Sequence, residues 1–430
     1  MAAKYLRDDL LEYQPASNLE FNNQIKEMMS KGKKIYHFGF GESPFPVPET
    51  FRQGLIKSAH RNEYLSVQGL LSLREKIISF HKKYEDFDHF SPHDILLGAG
   101  SKELIYHSMN IFGGEILLPS PAWTSYAPQT TLSSKKWINV NADFENKFCP
   151  TGQQAILRGS PDLPKMLILN SPNNPTGLTY TEEQIQEIAQ VCRKHKVVVI
   201  SDEIYARLST VPFTSISQYY PEGTIVTSGF SKWASLGGWR AGYALFPREL
   251  GRLREAVASA GSHSFTCQPS PIQHALVYGL DDLDALDEYI VKTRSVMDAV
   301  GRFCHRELKE AGVSANQPEG TYYFMPDFAV CRSQTIPDGT ALCKRLLKEA
   351  NVALMPCDPH YNRPPGELTT RFAFVNFDGT EAMKNVPLEG FEDDEEESGF
   401  VQKYCTPVAG GVKAIKEWVK KNKTPIKPYY

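Results

Sequence analysis

The sequence predicts an α/β protein built on a mostly parallel β-sheet covered by helices on both faces, with a second, smaller α+β domain. Between about residue 45 and residue 285, short continuous apolar runs alternate with amphipathic stretches, a pattern typical of buried parallel strands joined by helices. After that the pattern changes to one long amphipathic helix and a strand–helix–strand unit. A chain of 430 residues is also long enough for two domains.

The large domain is predicted to span residues 45–285. Its predicted strands, in chain order, are HDILLGAG, GEILLPSPAW, PKMLILNSPNNPTG, KVVVISDEIY, GTIVTSGFSK and RAGYALFP. Helices are predicted at SKELIYHSMNIF, after the first strand, and at TEEQIQEIAQVCRKH, after the third. This alternation indicates parallel strands with helical connections.

The smaller domain is predicted to combine residues 286–430 with the N-terminal segment 1–44. ALDEYIVKTRSVMDAVGRFCHRELKEAG indicates one long helix, and GGVKAIKEWVKKNK indicates a basic closing helix. TYYFMPDF and RFAFVNFD are predicted strands on either side of a helix in TALCKRLLKEANVALMP. The acidic run EDDEEE at 392–397 is predicted to be a solvated loop or an insertion.

Composition argues against several kinds of partner. The chain has 47 basic and 50 acidic residues and a net charge of -3, so no basic surface for nucleic acid is expected. It has no run of about 18 apolar residues, and its start lacks the apolar core of a signal peptide, so we expect a cytoplasmic protein with no membrane span. The eight cysteines form no C-x-x-C pair, which predicts reduced thiols and no metal site.

Ligands of open α/β sheets bind beyond the carboxyl ends of the strands, so residues there are candidates for a site. Gly100 and Ser101 open a helix whose free N–H groups and dipole favour a phosphate, although a simple tight turn also explains them. Trp123 is placed to stack on a flat ring or to pack in the core. Asn174 lies in a proline-containing loop, which either aims its amide into a cleft or only forms the turn.

Charged groups follow the later strands. Asp202 ends the run VVVISD, where a buried carboxylate needs a partner such as a protonated ring nitrogen, unless it caps a helix. Tyr205 lies three residues later, Lys232 stands among small and apolar residues, and Arg240 follows eight residues after Lys232. Together with the phosphate site and the stacking ring, these groups fit pyridoxal phosphate (PLP), which needs a lysine for its Schiff base and an acid opposite its pyridine nitrogen.

The segments SPNNPTG, SDEIY and GFSKWASLGGWRAGY, in this order and spacing, resemble the signatures of the class I/II aminotransferases, which are fold type I PLP enzymes. YLSVQGLLSLRE and GESPFPVP resemble two further segments of that family, so the likeness spans residues 41 to about 375. The resemblance implies an aspartate aminotransferase-like enzyme with a seven-stranded sheet in its large domain. It also implies a homodimer with shared active sites.

The resemblance assigns a role to each motif residue around the cofactor ring. Lys232 would hold PLP as a Schiff base and, once displaced by an amino acid, would move the proton between the substrate Cα and C4′ of the cofactor. Asp202 would keep the pyridine nitrogen protonated. Asn174 and Tyr205 would hydrogen-bond the phenolic oxygen of the ring, and Trp123 would stack on its face.

The phosphate group of the cofactor has its own set of residues in the resemblance. Backbone groups of Gly100, Ser101 and Lys102 would bind it together with the guanidinium of Arg240. Tyr64 would reach the phosphate bound by the neighbouring subunit. The family usually has Ser or Thr three residues before the lysine, whereas this chain has Gly229, and Ser228, Ser231 or water would have to replace that hydroxyl.

For the substrate, the resemblance implies that Arg371 clamps the α-carboxylate, that Asn174 also contacts it, and that Gly41 closes over it. Lys102 stands where some bacterial-type aspartate aminotransferases have a lysine facing the distal carboxylate. This favours an acidic donor such as aspartate or glutamate, unless Lys102 is simply an exposed lysine at a helix start. The expected acceptor is a 2-oxo acid such as 2-oxoglutarate. MPCDPHYN replaces the family's Pro-Gly-x-x-Phe-Gly segment and predicts a reshaped entrance.

Two other functions stay open at this point. The same motifs are compatible with a PLP-dependent lyase or synthase acting at Cβ or Cγ, such as a C–S lyase or an aminocyclopropane carboxylate synthase-like enzyme. A non-catalytic PLP-binding or regulatory protein is the other alternative. A nicotinamide-binding protein is excluded, since no G-x-G-x-x-G follows the first strand.

Overall fold

The computed structural model describes residues 5–10, 17–150 and 158–424. Its strands are β1 (Tyr36–His37), β2 (Ile95–Ala99), β3 (Glu115–Ser120), β4 (Trp137–Asn141), β5 (Lys165–Asn170), β6 (Val198–Asp202), β7 (Thr224–Gly229), β8 (Ala241–Leu245), β9 (Tyr323–Phe324), β10 (Val352–Ala353), β11 (Met355–Pro356) and β12 (Thr370–Ala373). Strands β2 to β8 form a seven-stranded sheet in the order β2-β8-β7-β6-β5-β3-β4. Only β8 in this sheet runs antiparallel to its neighbours, so the predicted mostly parallel sheet is confirmed.

The helices follow from local sequence signals. In the described residues they are α1 (Ser17–Ser30), α2 (Glu49–Ser58), α3 (Leu71–Glu85), α4 (Ser101–Ile111), α5 (Tyr126–Leu132), α6 (Glu182–Lys194), α7 (Gly251–Ser264), α8 (Ser270–Gly279), α9 (Leu283–Glu310), α10 (Gly339–Ala350), α11 (Gly379–Asn385), α12 (Asp394–Tyr404) and α13 (Thr406–Asn422). At the start of α6, Thr181 and Gln184 satisfy each other's backbone N–H groups in a capping box. Ile185 and Ile188 then form the buried face of the helix.

Helices cover both faces of the large sheet because successive side chains of a strand point to opposite sides. In β5, Met166 and Ile168 pack into a core that includes residues of α4 and α7. Leu167 and Leu169 pack into a second core, on α6. Both faces are therefore filled, and the carboxyl ends of the strands are the place left for a ligand.

The chain after residue 283 is organised differently. Helix α9 runs for 28 residues, and β11, β12 and β9 form a small antiparallel sheet in that order. Strand β1 pairs in parallel with β10, with Tyr36 opposite Val352, so the N-terminal segment joins the C-terminal part of the chain. The boundaries of the two domains at 45–285 stay a prediction.

The acidic run at 392–397 was predicted to be a solvated loop or an insertion; residues 392–396 are exposed, but the run is not a loop. Asp393 caps α12, and its side chain accepts hydrogen bonds from two backbone N–H groups of the first turn. Acidic residues are favoured there because a helix N-terminus carries partial positive charge. Glu397 is only 1% exposed and forms ion pairs with Arg302, at 2.7 Å, and Arg306, at 3.1 Å. The run thus starts a helix and anchors it on α9.

Three further features of the described residues limit the kind of site that is present. None of their helices combines the length and the apolarity needed to cross a membrane. No cluster of three or more His, Cys, Asp or Glu side chains among them could hold a metal ion. The eight cysteines are all unpaired.

Candidate active site

A cavity of about 790 Å³ lies at the carboxyl ends of β5 and β6 and beside the turn after β7. Ten of the twelve residues nominated from the sequence line it: Gly41, Ser101, Lys102, Trp123, Asn174, Asp202, Tyr205, Lys232, Arg240 and Arg371. Gly100 directly precedes Ser101. Tyr64 does not line the cavity and is 87% exposed, so its role in a shared site stays a prediction.

Asp202, the last residue of β6, presents a buried carboxylate to the cavity. Tyr126 donates a hydrogen bond of 2.6 Å to its Oδ2, whereas its Oδ1 makes no hydrogen bond within the described residues. Burial raises the pKa of Asp202 to about 6, although the Tyr126 hydroxyl and the charge of Lys232 act in the opposite direction. A cationic N–H group in the cavity would satisfy the free oxygen and keep the carboxylate charged.

The neighbouring residue Glu203 does not line the cavity. Its carboxyl group accepts hydrogen bonds from Ser201, at 2.7 Å, and Ser215, at 2.5 Å. Burial raises the pKa of Glu203 to about 8, so this group is largely protonated at neutral pH. The two adjacent acids therefore have different environments, and only Asp202 is available to a ligand.

The loop after β5 fixes the Asn174 side chain through its own amides. The Asn170 side chain accepts a hydrogen bond of 2.9 Å from the Asn174 backbone N–H and donates to the Asp202 backbone carbonyl, at 2.8 Å. Asn173 accepts from the N–H and the hydroxyl of Thr176. The Asn174 side-chain oxygen is buried and makes no hydrogen bond within the described residues, which leaves its amide available to a ligand.

Lys232 points into the cavity from the turn after β7. Its Nζ donates a hydrogen bond of 2.6 Å to the Gly41 carbonyl. The same Nζ lies 5.6 Å from the ring centre of Tyr205 and 5.5 Å from that of Tyr322. The Tyr322 hydroxyl donates to the Lys232 backbone carbonyl at 2.7 Å, which holds the turn in place. The amine is thus surrounded by protein groups and faces the cavity rather than bulk water.

The N-terminus of α4 and the Arg240 side chain form a surface suited to an anion. Gly100 has φ = 87°, and any side chain there would collide with the Arg240 guanidinium. That guanidinium donates to the carbonyls of Ala99, at 3.1 Å, and Gly237, at 2.9 Å. The free N–H groups of the first turn of α4 and this fixed cation together favour a phosphate.

Lys102 adds a second cation beside this site. Burial lowers the pKa of Lys102, and the charges of Arg240 and Lys232 lower it further. Its Nζ lies 4.7 Å from the ring centre of Trp123. An anionic group in the cavity would offset this accumulation of positive charge.

Gly229 departs from the family pattern for a steric reason. It lies opposite Gly242 on β8, and a Cβ at this position would be 2.7 Å from the Ala241 carbonyl oxygen. A serine does not fit there without a shift of the backbone. Ser228 donates to the Glu203 carbonyl instead, whereas Ser231 lines the cavity. Of the two serines that the sequence suggested as replacements, Ser231 is the one placed at the site.

Arg371, on β12, is 4% exposed and faces the cavity. Its Nη2 donates to the Gly39 carbonyl, and its Nε makes no hydrogen bond within the described residues. The guanidinium lies 4.5 Å from the ring centre of Tyr323. A buried cation with donors to spare is suited to binding a carboxylate.

Sequence reasoning missed two tyrosines. Tyr126 follows Trp123 by three residues and was not nominated, yet its hydroxyl holds Asp202. Tyr323 was seen only as part of a strand, yet its hydroxyl is 3.3 Å from that of Tyr205 and 3.4 Å from the Gly41 carbonyl. A tyrosine pair in a short strand of the smaller domain gives no sign in the sequence of the cavity that it faces.

The residues of the cavity fit PLP. The free oxygen of Asp202 suits the protonated ring nitrogen, and the Asn174 amide lines the same cavity. The N-terminus of α4 with Arg240 suits the phosphate, and Lys232 supplies the amine. These are the four kinds of group that the cofactor needs.

Comparison with known proteins gives the same result over most of the chain. Residues 33–375 match the family model described as aminotransferase class I and II. Aspartate aminotransferase from Thermotoga maritima is 30% identical over 384 residues, which cover 86% of this chain and 95% of that protein. Aspartate/prephenate aminotransferase from Cereibacter sphaeroides is 28% identical over 369 residues, covering 82% and 90%. The solved structure of Thermus thermophilus aspartate aminotransferase with maleate matches the fold, with a TM-score of 0.81 at 22% identity and coverage of 95% and 99%.

Proposed function

Because this chain belongs to the aminotransferase class I and II family and is a PLP-dependent aminotransferase, we propose that it moves the amino group of an acidic L-amino acid to a 2-oxo acid such as 2-oxoglutarate, using Lys232. The observation that carries this proposal is that the Lys232 amine and the unpaired oxygen of Asp202 face one cavity. Amino-group transfer is the reaction named for these relatives, and nothing in the cavity favours the lyase or the non-catalytic alternative.

The cofactor is held by groups that already have the required charge or polarity. Asp202, oriented by the Tyr126 hydroxyl, keeps the ring nitrogen protonated. The Asn174 amide and the Tyr205 hydroxyl would bind the phenolic oxygen, and Trp123 would stack on the ring, since all three line the cavity. When bound, PLP supplies an electron sink for the negative charge that develops at the substrate Cα.

The phosphate is bound by the Arg240 guanidinium and by backbone N–H groups at Gly100, Ser101 and Lys102. These groups are fixed before any ligand arrives, since Arg240 is tied to two backbone carbonyls. A preorganised anion site costs little ordering entropy on binding. It therefore sets the position of the ring relative to Lys232.

Lys232 does the proton transfer. Its amine, once free, removes the proton from the substrate Cα and later returns it at the other end of the system, which is general acid–base catalysis. Arg371 holds the α-carboxylate through two parallel N–H donors. The backbone at Gly41 closes the cavity over the substrate and excludes water, which strengthens each of these electrostatic contacts.

The acidic donor is inferred from Lys102. Lys102 is an exposed residue that lines the cavity, its ammonium has no anionic partner in the ion pairs of the described residues, and a second carboxylate on the substrate would supply one. Several relatives are named aspartate aminotransferases, which agrees with this assignment.

The test of the acidic donor is a Lys102→Met variant, which keeps the length of the side chain and removes its charge. We expect kcat/KM for aspartate to fall about tenfold or more, the effect of one charged hydrogen bond, while kcat/KM for alanine changes by less than about threefold. Lys194→Met, on the exposed end of α6, is the control. An equal loss for both amino acids would remove Lys102 from the recognition of the substrate.

We further propose a homodimer in the cytoplasm, with domains at 45–285 and at 1–44 plus 286–430. The large side chains of Ile56, Tyr64 and Leu71 are exposed in one stretch of sequence, and burial of such surface between two subunits would stabilise a dimer. Tyr64 would then reach the neighbouring active site. Unpaired cysteines throughout agree with a reducing compartment. Sedimentation equilibrium of the holoenzyme tests the dimer. The affinity of a Tyr64→Phe variant for the cofactor phosphate tests the shared site.

A further inference from the structure

The hydroxyl of Tyr323 lies at a meeting point of the catalytic groups. It accepts a hydrogen bond from the Tyr205 hydroxyl at 3.3 Å and donates to the Gly41 carbonyl at 3.4 Å. The Lys232 amine donates to the same Gly41 carbonyl at 2.6 Å, so the phenol and the amine share one acceptor. The ring beneath this hydroxyl lies 4.5 Å from the Arg371 guanidinium. Tyr323 is 2% exposed, so these contacts are made without water.

Tyr323 also differs electrostatically from the two tyrosines beside it. Burial alone would raise its pKa, but the positive charges of Lys232 and Arg371 outweigh burial and hold the pKa of Tyr323 below its usual range. Burial instead raises the pKa of both Tyr205 and Tyr322 well above that range. Among these three phenols, the hydroxyl of Tyr323 is therefore the strongest donor, and it donates to the Gly41 carbonyl that also accepts from the Lys232 amine.

We propose that Tyr323 is a positioning residue for catalysis, which holds the free ε-amine of Lys232 in the orientation needed for proton transfer. The proposal rests on the role of Lys232 given above and adds a residue to it. The Tyr323 hydroxyl acts by fixing the Gly41 carbonyl that accepts from the amine, and neither the family motifs nor the sequence pattern pointed to this tyrosine.

The orientation follows from the valence of the nitrogen. A neutral primary amine has two N–H bonds and one lone pair. The Gly41 carbonyl accepts from one N–H, and the Tyr323 hydroxyl holds that carbonyl in place. The direction of this N–H is therefore fixed, and the lone pair takes one of the other two tetrahedral directions of a nitrogen that lines the cavity.

This geometry gives the proton transfer a defined path. The Cα–H bond of the substrate breaks, its electron pair remains on Cα, and the proton forms the third N–H bond of Lys232. The resulting ammonium keeps its bond to the Gly41 carbonyl, and its new N–H is available to return the proton. Without the Tyr323 hydroxyl the Gly41 carbonyl loses a restraint, and a smaller fraction of amines is aligned for the transfer.

Tyr323→Phe tests the proposal in the holoenzyme, because it removes the hydroxyl and keeps the ring that packs on Arg371. We expect kcat to fall about tenfold or more, since general acid–base catalysis contributes about 10²–10⁴-fold and depends on alignment. The isotope effect on kcat with Cα-deuterated substrate should rise, while KM for the amino acid and Kd for PLP stay within about twofold. Tyr180→Phe, which removes another buried hydroxyl that does not line the cavity, should leave the isotope effect as it is.

A second measurement needs no activity. Ultraviolet titration of the full chain without cofactor should show one tyrosine that ionises at lower pH than the others. Tyr323→Phe should remove this early step, and Lys232→Ala should move it to higher pH because one of the two nearby positive charges is lost. Tyr180→Phe should leave it in place. If Tyr323→Phe fails to fold, the Lys232→Ala titration still decides whether the phenol and the amine interact.

The two proposals fail in different ways. Turnover that survives Lys232→Ala would overturn the proposed function itself. An inactive Lys232→Ala together with a Tyr323→Phe enzyme of normal kcat and unchanged isotope effect would overturn only the role of Tyr323. An early tyrosine step that ignores Lys232→Ala would also overturn it. A loss of PLP affinity or melting temperature in Tyr323→Phe with no change in isotope effect would mean a purely structural residue.

Discussion

Replacement of Arg371 by lysine is expected to weaken the binding of any amino acid substrate through its α-carboxylate. The guanidinium is buried and tied to the Gly39 carbonyl, and it has a further donor without a partner. A lysine ammonium carries the same charge, but it cannot place two parallel N–H groups on one carboxylate.

The size of the effect follows from the hydrogen bond that is lost. A hydrogen bond to a charged group is worth about 1.5–3 kcal/mol, and each ~1.4 kcal/mol corresponds to a factor of ten. Loss of one of the two hydrogen bonds to the carboxylate therefore predicts a roughly 10- to 150-fold fall in kcat/KM. Because the carboxylate is bound both before and during the reaction, most of the fall should appear in KM rather than in kcat.

Steady-state kinetics with a series of L-amino acids measures this change. The control variant is Arg193→Lys, which alters an equally two-pronged arginine–carboxylate pair, to Glu222, on the surface. The control substrate is an amine that lacks the α-carboxylate, and its slow rate should be the same in wild type and Arg371→Lys. An Arg371→Lys enzyme with unchanged kcat/KM, or an equal loss for the amine without a carboxylate, would refute the clamp.

Three other predictions concern the lysine and the two adjacent acids. In Lys232→Ala, borohydride should no longer fix PLP to the protein and turnover should be lost; peptide mapping that finds the label elsewhere in wild type would contradict the assignment. In Asp202→Asn, PLP should bind more weakly and kcat should fall about 10²-fold or more, because a neutral amide does not hold the ring nitrogen charged; a kcat near that of wild type would show that the charge is unnecessary. Because burial raises the pKa of Glu203 to about 8 from its ordinary 4.5, its folded-state contribution is present below pH 4.5 and is lost as pH rises towards 8. Urea unfolding should therefore show the stability of wild type falling relative to Glu203→Gln by roughly 1.4 kcal/mol per pH unit in that window, and a difference independent of pH would rule this out.

Much of the large sheet could be predicted because its strands are buried on both faces and are therefore uniformly apolar. The same property hides whether a strand runs parallel or antiparallel to its neighbours. The run at β8 resembles the parallel strands around it, although it pairs antiparallel with β2 and β7. Only the pairing itself shows this difference.

The candidate site was predictable where polar residues end apolar strands, as at Asp202 and Lys232. It was not predictable where the function of a residue depends on a distant part of the chain. Tyr323 reaches Gly41 and Tyr205 only because β9 packs against the large domain. The acidic run at 392–397 was mistaken for a loop because charge alone does not distinguish a solvated segment from a capped helix start, and the partners of Glu397 lie on α9.

The backbone carbonyls of Gly39 and Gly41 serve as anchors for Arg371 and Lys232 respectively. The cation proposed to bind the substrate and the amine proposed to transfer the proton thus both donate hydrogen bonds to one backbone segment, residues 39–41. A ligand that moves Arg371 away from Gly39 will therefore also shift the carbonyl that accepts from the amine. Mutations in residues 39–41 will consequently affect both substrate recognition and proton transfer. A side chain at Gly41 would collide with the Tyr323 hydroxyl and disturb both at once.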